Sequence, residues 1–92
     1  MLKIRTHNRF EKDYRIIKKR NLPTDELWNV VRLLQTGEKL PGKYRDHQLV
    51  DSKAFINVRE CHIKPDWLLI YRIDEEELVL LLLRTGTHSD LY

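Results

Sequence analysis

The chain has 92 residues and a mass of 11.2 kDa, with 41% apolar and 34% charged side chains. That balance supports one folded domain over residues 1–92 and excludes a disordered, collagenous or disulfide-stapled chain, and the length is too short for a cofactor domain beside a substrate domain. The formal net charge is only +3.

One cysteine cannot close an internal disulfide. The longest apolar run, residues 78–83, falls far short of the roughly 20 residues a membrane-spanning helix needs. Residues 1–5 reach charge at once, without the apolar stretch of a secretory signal. The expectation is a cytoplasmic chain that starts at Met1 and makes no membrane contact.

The first strand is expected at residues 2–6, where apolar and polar side chains alternate with period two. Asn8 followed by Glu11 resembles a capping box, and Phe10, Tyr14 and Ile17 then recur at helical spacing, which predicts a helix over 9–20. Residues 1–20 hold eight basic side chains against two acidic ones, a local charge of +6. Its outer face (Lys12, Arg15, Lys18, Lys19, Arg20) suits a polyanion such as RNA through phosphate contacts, and equally suits plain solvation. Pro23 opens a second helix with Asp25 and Glu26 in its first turn, an apolar stripe of Leu27, Val30, Val31 and Leu34, and Gly37 as its stop.

Residues 38–45, with Pro41 and Gly42, read as a surface loop. Strands are then expected at 46–50 and 55–62, joined by a turn at Asp51-Ser52-Lys53. Two near-continuous apolar runs, 67–71 and 78–83, read as central strands joined by an acidic hairpin turn at 74–77. The order is βααββββ: an α+β domain with two N-terminal helices on one face of a small, mostly antiparallel sheet, and a concave polar surface opposite. Cys61, Trp28 and Tyr71 read as core, and Gly86 as a turn residue that aims His88.

Chemistry concentrates at the strand ends. His47 starts one strand, His62 ends another with Asp66 just beyond, and Arg84 and His88 follow the last. Three imidazoles, a carboxylate and a guanidinium in one hollow would supply proton donors and acceptors near neutral pH plus a fixed positive charge. That set suits cleavage of an RNA phosphodiester by its own 2′ hydroxyl without a metal. It also suits a transition-metal site, although no two of these histidines stand at short ligand spacing.

The segments Tyr44-Arg45-Asp46-His47-Gln48-Leu49, Arg59-Glu60-Cys61-His62-Ile63-Lys64-Pro65-Asp66-Trp67-Leu68-Leu69-Ile70-Tyr71 and Arg84-Thr85-Gly86-Thr87-His88-Ser89-Asp90-Leu91-Tyr92 together resemble the YafQ branch of the RelE-type bacterial toxins. The resemblance implies a RelE-like fold and a ribosome-dependent messenger RNA endonuclease that cuts the codon in the decoding site, without metal or other cofactor. It places catalytic positions at His47, His62, Asp66, Arg84 and His88, and substrate-binding positions at Trp67 and Tyr92, where the family more often has Phe. The roles assigned on chemical grounds are general base for His47 and general acid for His88, two labels that the sequence leaves exchangeable, phosphate-charge stabilisation for Arg84, and holding of the phosphate and a neighbouring imidazole for His62 with Asp66. Tyr92 is expected to stack on a base, and the basic helix face to dock on ribosomal RNA. The implied partners are a cognate antitoxin, the ribosome with bound messenger RNA, and operator DNA only through the antitoxin complex. The competing reading keeps the fold without catalysis, as an antitoxin-binding corepressor of its operon.

Overall fold

The computed structural model describes residues 1–49 and 57–92. Strand β1 (Lys3–Thr6) leads into helix α1 (Asn8–Lys19), followed by helix α2 (Thr24–Gln35) and a 3-10 turn (Gly42–Tyr44). Strands β2 (His47–Gln48), β3 (Val58–Lys64), β4 (Trp67–Asp74) and β5 (Val79–Gly86) complete the sheet, and a short helix α3 (His88–Leu91) follows. The five strands lie in the order β1-β5-β4-β3-β2. Among the described strands only the β1–β5 pair is parallel; the strands are the first and last in the chain, joined by a long crossover that carries both helices. The fold is the expected α+β arrangement with one terminal helix added.

Both long helices end for the same local reason. At α1, Asn21 adopts φ 59°, its N–H reaches Lys18 O, and the N–H of Leu22 reaches Ile17 O. At α2, Gly37 adopts φ 80° and the N–H groups of Gly37 and Glu38 reach Leu34 O and Leu33 O. These paired bonds satisfy the last helical carbonyls and need a left-handed residue, which Asn and Gly supply most readily. The start of α1 differs from the expected capping box at Asn8. The cap is His7, whose ring Nδ1 accepts from the N–H of Arg9 at 3.1 Å.

The core forms between the helices and one face of the sheet. Phe10 and Ile17 from α1 and Leu27, Val30, Val31 and Leu34 from α2 pack on Cys61, Ile63, Trp67, Leu69, Tyr71, Leu80 and Leu82. Each such side chain, fully buried, stabilises the fold by about 1.5–3 kcal/mol relative to an exposed one. Strand alternation turns the neighbours of these residues the other way, so Glu60, His62, Leu68 and Ile70 belong to the opposite face. The site is built there.

The second-half strands differ in extent from expectation. β2 is two residues long, β5 runs on to Gly86, and residues 88–91, for which no element was expected, are helical. The expected turn at residues 51–53, together with Val50 and Phe55, lies outside the described residues.

Candidate active site

Edge strand β2 places His47, and its position is fixed from behind. Asp46 accepts the phenol of Tyr71 on one carboxylate oxygen and Nη2 of Arg59, at 2.9 Å, on the other. Burial and the Asp46 charge both push the Tyr71 phenol up from its ordinary value, so it stays a donor. With Asp46 anchored, His47 pairs with Glu60 across the ladder. The His47 ring donates from Nδ1 to the carbonyl of Arg45, at 2.8 Å, a residue held at φ 47°.

His62 lies on the polar face of β3, just before the Pro65–Asp66 turn into β4, and its Nδ1 meets Pro65 O at 3.2 Å. His88 is the first residue of α3. The carboxylate Oδ1 of Asp66 accepts both its backbone N–H, at 3.1 Å, and its ring Nδ1–H, at 2.6 Å. Those bonds, the ring's first, hold the Asp66 carboxyl below its ordinary value. In all three imidazoles Nδ1 faces an oxygen that can only accept, so Nδ1 carries a proton and Nε2 is the atom left for chemistry.

The rings stand in a row. His47 and His62 are 6.4 Å apart between centroids, His62 and His88 5.7 Å, and His88 and Tyr92 6.5 Å. Glu60 lies against them, only 5% exposed. Its Oε1 is 3.5 Å from Nε2 of His47 and 3.8 Å from Nε2 of His62, and its Oε2 accepts the Tyr92 hydroxyl at 2.5 Å. Beside His62 runs a groove of about 530 Å³ lined by Glu26, Lys43, Tyr44, Arg45 and Lys64. A larger hollow of about 630 Å³ at the far end of β3 and β4, lined by Gln48, Arg59, Arg72 and Asp74, holds none of the histidines. Among the described residues no three His, Cys, Asp or Glu side chains are grouped as ligands of one metal ion.

The turn into α3 is tightly specified. Thr87 caps the helix: its hydroxyl accepts from the N–H of Asp90, whose carboxylate accepts from the N–H of Thr87. Gly86 has φ 156°, and a Cβ there would lie 3.0 Å from the Asp90 side chain. Asp90 also takes a two-pronged bond from Arg20 at the end of α1, at 2.7 and 3.1 Å, which holds its carboxyl well below the ordinary value. The first helix therefore braces the helix that carries His88.

Of the residues singled out from sequence, His47, His62, Asp66, His88 and Tyr92 come together. Arg84 is placed differently. Its Nε and Nη2 donate to Asp13 of α1, at 2.7 and 3.2 Å, and among the described residues no hydrogen bond or ring contact joins it to the imidazoles. Trp67 offers no ring to a nucleotide. It is 2% exposed, packs in the core, and donates from Nε1 to the buried hydroxyl of Thr85 at 2.9 Å. Lys12, Arg15, Lys18 and Lys19 are exposed on α1, whereas Arg20 is engaged by Asp90.

Sequence reasoning missed Glu60, Asp46, Asp13 and the helix at His88. Two of these left a signal. Glu60 is an acidic residue two positions before His62, which puts both on one face of the expected strand, and Thr87-His88-Ser89-Asp90 has the capping-box spacing.

Residues 2–92 match the model of a family described as bacterial toxin of type II toxin-antitoxin system, YafQ. Over 84 residues the chain is 36% identical to the mRNA interferase toxin YafQ of Escherichia coli (strain B / BL21-DE3), covering 90% of this chain and 87% of that one. Among solved structures it is similar to a metal-bound toxin from Helicobacter pylori, with TM-score 0.92 and 42% identity over the whole of both chains. It is also similar to the toxin of the E. coli DinJ-YafQ complex, with TM-score 0.89 and 33% identity over 100% of this chain and 99% of the other.

Proposed function

The chain belongs to the YafQ family of bacterial type II toxins, and from that membership we propose that it is a messenger RNA endoribonuclease that acts on the ribosome, cutting the codon in the decoding site and arresting translation. The observation that carries the reading is the row His47, His62, His88, each ring tied down at Nδ1. A phosphate seated over the central His62 has an imidazole on either side, the arrangement that in-line attack by a 2′ hydroxyl requires.

In the proposed reaction His47 takes the proton of the 2′ hydroxyl, the 2′ oxygen bonds to phosphorus, and the bond from phosphorus to the 5′ oxygen breaks. His88 delivers a proton from Nε2 to that departing oxygen. The products are a 2′,3′-cyclic phosphate and a 5′ hydroxyl, and the proton count closes between the two imidazoles without a metal. Asp66 stabilises the His88 imidazolium and keeps its Nε2 outward. Arg84 serves the phosphate charge through Nη1, the nitrogen that Asp13 does not hold.

Ribosome dependence follows from what this small surface must leave to its partner. The ribosome presents the codon in a fixed path, so orientation supplies much of the rate. The groove beside His62, with Lys43 and Arg45, gives the flanking phosphates a basic track, and Lys12, Arg15, Lys18 and Lys19 face ribosomal RNA. The E. coli relative is found in complex with DinJ. By the same relation this chain pairs with a cognate antitoxin in the cytoplasm, and the pair occupies operator DNA. Among the described residues no helix is long and apolar enough to cross a membrane.

Translation of a defined message in vitro, read by primer extension, tests the whole reading. Cuts should fall in frame, appear only with ribosomes, leave a 5′ hydroxyl, and persist with a chelator that removes zinc and copper but spares magnesium. Cleavage of free RNA removes the ribosome claim, chelator sensitivity removes the metal-free scheme, and an uncut message removes the enzyme.

A further inference from the structure

Glu60 poses a problem that the proposed chemistry leaves open. It is a carboxylate in the middle of β3 at 5% exposure, and a buried charge persists only when its oxygens are partnered. Among the described residues the groups that face it are few. His47 approaches from β2 and His62 from its own strand, its ladder partner on β4 is the apolar Ile70, and Tyr92 approaches from the end of α3. Among the described residues only Tyr92 hydrogen-bonds to it, at 2.5 Å; both imidazoles stop at 3.5 and 3.8 Å.

Tyr92 was expected to stack on a base, a task for the face of its ring. The ring is well placed for that, 71% exposed and next to His88. Its hydroxyl, however, is turned inward to the buried Glu60 carboxylate, and burial together with the Glu60 charge pushes the phenol up to about 12. A phenylalanine would keep the ring and lose this bond.

Resting on the endoribonuclease reading, we infer that the Tyr92 hydroxyl is a positioning group: by donating to Oε2 it fixes the Glu60 carboxylate so that Oε1 faces Nε2 of both His47 and His62 and binds neither closely. Without the phenol, Oε2 loses its donor and the carboxylate is free to rotate onto whichever imidazole carries a second proton and can donate from Nε2. That imidazole's Nε2 is then withdrawn from the RNA, and the symmetry between the two rings is lost. Tyr92 thus acts on both ends of the row, on His47 and His62 through Glu60 and beside His88 through its ring.

The test compares wild type, Tyr92→Phe, Tyr92→Ala and Glu60→Gln on programmed ribosomes, and reads the imidazole nitrogens of the free protein by NMR at one pH. Tyr92→Phe should keep KM and lower kcat about tenfold, the scale of one hydrogen bond to a charged acceptor. It should move the Nε2 resonances of His47 and His62 and leave Nδ1 of His88, anchored on Asp66, in place. In wild type the Tyr92 phenol should ionise near pH 12, and in Glu60→Gln closer to the ordinary value of about 10. Wild-type kcat in Tyr92→Phe with unmoved ring resonances, and loss only in Tyr92→Ala, would overturn the inference and leave a stacking residue. Should wild type itself fail to cut, the function proposed above fails, while the NMR and phenol measurements still decide whether Tyr92 sets Glu60 and the two rings.

Discussion

Asp66 holds His88 twice with one oxygen, through the backbone N–H that opens α3 and through the ring Nδ1. The same atom therefore sets where the helix begins and which ring nitrogen faces outward. Asp66→Asn presents an amide that can donate to Nδ1 and reverse the tautomer, so cleavage on programmed ribosomes should fall at least ~100-fold, the lower end for a lost proton-transfer group. His88→Ala and His47→Ala should each lose at least as much. Rates near wild type in single-turnover assays would remove these residues from the chemistry.

The Arg20–Asp90 pair predicts a dependence of stability on pH. Asp90 is held below its unfolded value, chiefly by Arg20, so its contribution is complete above about pH 4 and fades as acid protonates it. Asp90→Asn should unfold at a lower temperature than wild type near neutrality, by about 1 kcal/mol including the weakened bond from the Thr87 N–H, and the two should converge on acidification. Calorimetry across that range reads the difference. Arg20→Ala should lower cleavage as well, because it unties the helix that carries His88.

The basic face of α1 predicts a salt effect. Replacing Lys12, Arg15, Lys18 and Lys19 with Glu should weaken ribosome association and flatten its dependence on salt, since each phosphate contact contributes about one unit to that slope. Circular dichroism should remain that of wild type, because these side chains are exposed. Sedimentation with ribosomes at graded salt is the measurement, and an unchanged slope refutes docking through this face.

Leu78 occupies φ 55° in the β4–β5 turn and is 57% exposed. A leucine in the left-handed region carries about 1–2 kcal/mol of strain. Leu78→Asn should therefore raise the denaturation midpoint by roughly 0.5–1 kcal/mol in stability, and a lowered midpoint would show that the exposed leucine contributes contacts outweighing its strain.

Cys61 is fully buried, and burial pushes its thiol well above the ordinary value. Alkylation in native buffer should be negligible and become rapid only in denaturant. Labelling of the folded chain at the rate of a free thiol would contradict its place in the core.

What the sequence determined by itself is what periodicity and local chemistry specify. Phe10, Tyr14 and Ile17, then Leu27, Val30, Val31 and Leu34, mark two helix stripes, and the apolar runs before and after the acidic turn mark two central strands. Hydrophobic spacing is a property of neighbours in the chain, so it is readable there. The histidines, Asp66 and Tyr92 were legible as a resemblance of motifs. Their convergence depended on β2 pairing with β3 and on α3 folding back beside the β3–β4 turn, contacts between residues far apart in sequence. Only the tertiary structure decided that Arg84 is engaged by Asp13, that Trp67 lies in the core, that Arg20 braces α3, and that Glu60 stands between two imidazoles and a phenol. A side chain's partner across the fold is set by strand register and helix packing, and neither is encoded in the spacing around the residue itself.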